Sequence, residues 1–219
     1  FAQKEGRLRG KRILITAGPT YEKLDPVRFI GNYSSGKMGI ALAKECLMQG
    51  ADVELVLGPS SVSLPESSLL HVTRVESAEQ MYNAATQLFT NCNAGIMCAA
   101  VADFTPMACA EQKIKREGEE LVLKLTPTKD IAAELGKMKT REQRLCGFAL
   151  ETHNATQHAI EKLQRKNLDM IVMNSLQDEG AGFQCDTNKV TIISKEGLEP
   201  LPLDSKQNVA EKIIRRFIP

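Results

Sequence analysis

The chain has 219 residues, and its 28 Lys and Arg against 27 Asp and Glu leave a formal net charge of +1 at pH 7. No global field therefore draws it to nucleic acid or to an anionic membrane surface. Aromatic residues make up 5 % and tryptophan is absent, which argues against a base-stacking platform; no apolar run approaches the ~18 residues of a membrane-spanning helix.

The opening "FAQKEGRLRG" is polar and carries no secretory leader, so residues 1–10 are expected to be a linker remnant and 11–219 a single domain. "RILIT" (12–16) predicts a buried strand. "GKMGIALAKECLMQG" (36–50) predicts a helix with Ile40, Ala43 and Leu47 on one stripe and Gly50 as its C-terminal stop. Strands follow at 52–57 and 71–75. Ser77 with Gln80 makes a capping box for a helix to about Cys92, and "AGIMCAA" (94–100) is the next strand.

"KIKREGEELVLKL" (113–125) predicts a β-hairpin turning at Glu117-Gly118, and a short helix is expected over 130–138. A strand at 144–150, a helix at 155–166 and a strand at 168–174 come next. Strands 189–194 and 198–203 flank Glu196-Gly197 as a terminal hairpin, and 205–218 closes as a helix. Strands joined by crossover helices imply an α/β fold: a three-layer, Rossmann-like sandwich with a mainly parallel sheet and added β-hairpins.

Six cysteines, none in C-x-x-C spacing, read as reduced core residues of a cytoplasmic protein rather than as a disulfide framework or zinc site. His71, His153 and His158 form no triad with a nucleophile and read as surface or satisfied polar residues. "GNYSSGKM" (31–38) fits seven positions of a P-loop, but Met38 stands where the magnesium-binding hydroxyl belongs. About fifteen residues also separate it from the strand, so it is not a standard P-loop. Gly36 and Gly39 still open a helix whose free N–H groups attract anions; otherwise they only let the helix pack closely on the sheet. The long segment after the first strand lies beyond a carboxyl end, where doubly wound sheets bind ligands.

"ITAGPTYEKLDPVRFIGNYSSGKMG" resembles the signature of the phosphopantothenoylcysteine synthetase family, the second half of a bifunctional protein of coenzyme A biosynthesis. "CAAVADF" (98–104) with "KIK" (113–115), and "GFALET" (147–152) with "KLQRKNLDMIVMN" (162–174), are similar to later family segments in the same order. The resemblance implies a homodimeric ligase that uses CTP and magnesium. It would convert 4′-phosphopantothenate to an acyl-cytidylate and join it to L-cysteine. FMN would belong only to a decarboxylase half preceding this chain. Magnesium would be held mostly by phosphates and water, with no all-protein metal site.

By the same resemblance Asn32 and Lys113 are the catalytic candidates: Asn32 donating to a developing oxyanion, Lys113 holding the triphosphate as a point charge. Cys98, Ala99, Ala100 and Asp103 would pass along the nucleotide, Phe148 would stack on or wall the base, and Lys162 and Lys166, four apart on one helix, would meet phosphate or base edge. Asp25 and Arg28 would lie at the dimer-built substrate site, where Arg28 would meet the pantothenate phosphate; otherwise they are a structural pair that shapes the loop. The family's Asn-Pro-Asp-Ile is here "TKDI", so Lys129 replaces the proline while Asp130 and Ile131 align with nucleotide-contacting positions. Two rivals stand beside this reading. A nucleotide-dependent oxidoreductase is disfavoured by the missing G-x-G-x-x-G, and a non-catalytic nucleotide-binding module by the retention of Asn32 and Lys113.

Overall fold

The structure is a computed structural model that describes residues 6–116, 118, 120–151, 155–175 and 185–218. Among these residues six strands of the main sheet run parallel. In chain order β1 (Arg12–Ala17) is followed by a ribbon of β2 (Tyr21–Lys23) and β3 (Phe29–Gly31), helix α1 (Lys37–Met48), β4 (Asp52–Leu57), β5 (Leu70–Arg74), α2 (Ala78–Phe89) and β6 (Ala94–Met97). Then come β7 (Phe104–Pro106), β8 (Leu125–Pro127), α3 (Ile131–Met138), β9 (Arg144–Glu151), α4 (Ala155–Arg165) and β10 (Met170–Ser175). The chain ends with β11 (Thr187–Asn188), β12 (Val190–Ser194), β13 (Gly197–Pro200), β14 (Asp204–Ser205) and α5 (Lys206–Phe217).

The main sheet has the order β13-β12-β10-β9-β6-β1-β4-β5, with β12 and β13 antiparallel to the rest. The order reverses between β1 and β6. That switch point opens a crevice beyond the carboxyl ends of both strands. Period-two alternation in "RILITA" explains the layers. Ile13 and Ile15 enter one core with α1 and α5, while Leu14 enters the other with α2, α3 and α4.

Local signals account for the helix boundaries. Ser77 and Gln80 close the expected capping box. A buried carboxylate, Glu22 of β2, adds a second cap by accepting from Ala78 N–H at 2.8 Å, which fixes the β2–β3 ribbon to the positive end of α2. Residues 1–10 were expected as linker, yet Leu8 is buried and Arg7 reaches Gln49 Oε1 at 3.0 Å and the Ile218 carbonyl at 2.6 Å.

The expected 113–125 hairpin does not form among the described residues, and Glu117 lies outside them. Leu121, Val122 and Leu123 are exposed, so no second layer covers that alternation, and a lone hairpin is marginal in water. Instead β8 pairs with β7, and Met107 N–H donates to the Lys124 carbonyl. His71 sits against Asp52 at 2.8 Å on the surface, while His153 lies outside the described residues.

At Gly39 a Cβ would come within 2.4 Å of Ala17 Cβ, so α1 lies directly on β1. Gly39→Ala gains helix propensity worth about 1 kcal/mol, but overpacking of about 1–3 kcal/mol opposes it. The backbone on both sides is fixed by regular hydrogen bonds, so the clash prevails. The urea midpoint is expected to fall, and an unchanged or higher midpoint would show that the helix moves freely.

Candidate active site

Two loops meet at the switch point, and one carbonyl joins them. Ala100 O accepts from Thr20 N–H at 3.3 Å and from Asn32 Nδ2 at 2.9 Å. Ala100 N–H donates to Gly18 O at 2.9 Å, and Ala102 N–H to Thr20 Oγ1 at 3.0 Å. The segment after β1 is thereby stitched to the segment after β6. Asn32, whose amide carries a second hydrogen besides the one bonded to Ala100, lines a cavity of about 360 Å³ together with Ala99, Ala100, Cys98, Asp103 and Phe148.

The start of α1 forms one side of this cavity. Gly36 has φ +81°, a left-handed conformation that turns the chain into the helix without a side-chain cap. The amides of Gly36 and Lys37 reach the hydroxyls of Ser34 and Ser35 only at 3.4 and 3.5 Å. A helix N-terminus at a cavity wall is a place where backbone N–H groups and the helix dipole favour an anion.

A second cavity of about 360 Å³ lies alongside and shares Ala99, Val101, Asp103, Phe148 and Lys162 with the first. Lys129, Asp130, Ile131 and Lys166 belong to it. Lys129 holds its ammonium over the Tyr82 ring, 4.6 Å from the centroid. Asp130 caps α3 through Ala133 N–H at 3.0 Å and pairs with Lys166 at 2.9 Å. Burial raises the Asp130 pKa, but the Lys166 and Ala133 hydrogen bonds outweigh it and hold the carboxyl below its ordinary value. Cys98 is a wall rather than a nucleophile, since burial pushes its thiol up to about 12.

Three expected residues stand apart from both cavities. Asp25 is fully engaged: it accepts from the amides of Val27 and Arg28 at 2.8 Å, from Arg28 Nε at 2.9 Å and from Ile114 N–H at 3.1 Å. Arg28 returns a bond to the Ile114 carbonyl at 2.6 Å. This pair shapes the loop and ties it to residue 114; neither side chain lines a cavity. Lys113, next to that tie, is exposed and lines neither cavity.

Other cations occupy the first cavity instead. Lys37 pairs with Asp186 at 2.7 Å, and Lys206, 7 % exposed, donates to the carbonyls of Cys185 and Thr187. Burial lowers the Lys206 pKa. The sequence held one signal for Lys206: it is the first residue of α5, where the helix dipole disfavours a cation, so some other requirement keeps it there. Asn174 and Asn188 also line this cavity, with no local signal to mark them.

Residues 8–218 match the family model described as DNA/pantothenate metabolism flavoprotein C-terminal domain. The chain is similar to the coenzyme A biosynthesis bifunctional protein CoaBC of Vibrio cholerae, with 45 % identity over 209 residues, 94 % of this chain and 52 % of that protein. It is also similar to a protein named cysteine/cysteine sulfinic acid decarboxylase from an unknown prokaryotic organism, with 53 % identity over 215 residues, 98 % of this chain and 60 % of that one. The chain thus spans only about half to three-fifths of these relatives. Its structure superposes on the crystal structure of the C-terminal domain of CoaBC with TM-score 0.82 and 42 % identity, over 97 % of this chain and 96 % of that one.

The Asp25 tie has a pH signature. Hydrogen bonding to Arg28, opposed by burial and helped by three amides, holds the Asp25 carboxyl well below the ordinary range. A depressed carboxylate stabilises the fold at pH values above its unfolded pKa, about 4. That stability is lost as pH falls below 4 towards the folded value. Asp25→Asn is therefore expected to be less stable than wild type at pH 7, and to converge with it as pH drops below 4. Urea midpoints against pH read this, and parallel curves would contradict it.

Proposed function

Because the chain belongs to the DNA/pantothenate metabolism flavoprotein C-terminal domain family, we propose that it is the phosphopantothenate–cysteine ligase of coenzyme A biosynthesis. The observation that supports this reading is the pair of adjoining polar cavities at the switch point, which share Asp103, Phe148 and Lys162. A ligase that activates an acid on a nucleotide needs two anion sites with a common wall.

In the first half-reaction, an oxygen of the 4′-phosphopantothenate carboxylate attacks the α-phosphorus of CTP. The bond to pyrophosphate breaks and an acyl-cytidylate forms. In the second, the amine of L-cysteine attacks the acyl carbon, CMP leaves with the bridging oxygen, and the amine proton passes to solvent. The acid lies in the first cavity, against Asn32 and the α1 amides, with Lys37 and Lys206 offsetting its charge. The nucleotide lies in the second, with Phe148 as the wall and Lys162, Lys166, Asp130, Ile131 and Lys129 around it. Ala99, in the wall shared by the two cavities, lets the nucleotide approach the backbone closely, while Cys98 and Ala100 line the first cavity alone. Asn32 donates to the oxyanion that develops on the acyl carbon, and losing such a donor costs about 3 kcal/mol of transition-state stabilisation.

For Lys113 to hold the triphosphate, its segment must move from the position it takes here. Arg28 and Asp25 serve the site by shaping the loop. The hard oxygen donors of Asp103 suit a magnesium ion carried in on the phosphates, which supplies charge neutralisation when bound. The preference for CTP rests on the family resemblance alone. FMN chemistry belongs to a decarboxylase half outside this chain, and the setting is the cytoplasm.

The homodimer is the other part of the proposal. The β2–β3 and β7–β8 ribbons are joined by Ala110 N–H to the Leu24 carbonyl, and they carry exposed Val27, Phe29, Phe104 and Met107, with Val122 80 % exposed nearby. An apolar strip of this kind suits a second copy of the chain. Replacing Met107 and Val122 by Glu is expected to halve the mass measured by light scattering; an unchanged mass would place the interface elsewhere.

With CTP and 4′-phosphopantothenate, wild type is expected to release pyrophosphate without cysteine and to form amide only with it. Asn32→Asp should bind CTP nearly normally by calorimetry and lose on the order of 100-fold in amide formation. Wild-type turnover in that variant would remove Asn32 from its role. Release of carbon dioxide from cysteine sulfinate with no pyrophosphate would favour the activity named for the other relative.

A further inference from the structure

The side-chain oxygen of Asn174 is buried without a hydrogen-bond partner, alone in this among the described residues. A buried acceptor left unpaired has lost its hydration with no return, which native structures seldom tolerate without a reason. Asn174 lies one residue from the carboxyl end of β10, where it pairs with Leu150 of β9 and Val190 of β12. Asn174 is one of the residues that line the first cavity.

Asn188 lines the same cavity and is 4 % exposed. Its oxygen accepts from Lys189 N–H at 3.0 Å, but its Nδ2 reaches only the thioether of Met38, at 3.7 Å. A thioether is a weak acceptor, so this donor is poorly satisfied. The cavity therefore presents one unmet acceptor and one poorly met donor.

We propose that Asn174 and Asn188 form a hydroxyl-recognising subsite. A ligand O–H donates to Asn174 Oδ1, and a ligand hydroxyl oxygen accepts from Asn188 Nδ2. A hydroxyl donates and accepts through a single oxygen, whereas an amide needs two separate atoms for the two tasks. A carboxylate or phosphate brings no hydrogen to Asn174. An ammonium brings no lone pair to Asn188, and it would enter a cavity already lined by Lys37, Lys162 and Lys206. The inference rests on the ligase reading, which supplies two hydroxyl-bearing ligands: the acid, with its secondary alcohol, and the ribose of the nucleotide.

The test compares wild type with Asn174→Leu on the native pair, on the acid lacking its secondary hydroxyl, and on the 2′-deoxy and 3′-deoxy nucleotides. Both kcat/KM for pyrophosphate release and calorimetric Kd are read. Wild type is expected to disfavour one deoxy ligand by at least about 100-fold, because it leaves buried polar groups unpaired. Asn174→Leu is expected to lose activity on the native pair and to treat that deoxy ligand nearly as well as its parent. The arm that responds, acid or nucleotide, identifies the ligand. Asn174→Leu should also unfold at the same or higher urea concentration, since it removes an orphaned polar group; Asn174→Ser, which keeps an acceptor, should retain part of the discrimination. No discrimination by wild type, or full discrimination by Asn174→Leu, would overturn the subsite. Absence of pyrophosphate from wild type on the native pair would overturn the ligase reading instead, and the calorimetric comparison would still decide the subsite.

Discussion

The convergence of Thr20 and Asn32 on the Ala100 carbonyl is the contact on which the site depends. The sheet separates β1 and β6 into two crossover directions, and nothing in the parallel ladder fixes the loops that leave them. Two donors on one carbonyl, with Ala100 N–H returned to Gly18, give those loops a common register. Asn32 is placed by its own side-chain bond, so the group proposed to meet the oxyanion is also a strut of the scaffold. An amide suits that double task, since one N–H can be spent on structure while the other stays free.

Charge follows from the same geometry. Burial disfavours the charged form of Lys206 and lowers its pKa. A neighbouring anion would favour the charged form again. The cavity thus carries its electrostatic cost before the ligands arrive, as expected of a site arranged in advance for developing charge. The unpaired Asn174 oxygen fits the same pattern: a buried polar group left short of a partner beside one cavity.

The layered fold was legible because its rules are local. The apolar run "RILIT" and the Ser77–Gln80 box are written within a few residues, and both recur in the structure as a buried strand and a capped helix. The 113–125 hairpin failed because alternation reports a half-buried surface only if another layer covers it, and here Leu121 to Leu123 face solvent. The β2–β3 ribbon went unseen because its strands are three residues each and are held by Glu22 on the distant α2 cap. Within the site, Asn32, Asp103, Phe148 and Lys162 were found through the family resemblance and do come together at one cavity. Lys113 does not, since a lysine beside an apolar residue says nothing of which way its segment is tied. Lys206, Asn174 and Asn188 were missed because only tertiary structure carries them to residues 32–39.

In the proposed ligase, acid and nucleotide meet across the wall shared by the two cavities. A crystal structure with 4′-phosphopantothenate and a non-hydrolysable CTP analogue tests this most directly. The acid carboxylate is predicted beside Asn32 with the α-phosphate adjacent to it past Phe148. Either ligand seated away from the switch point, for example in the cleft between Leu47 and Leu69 at the far end of α1, would contradict it.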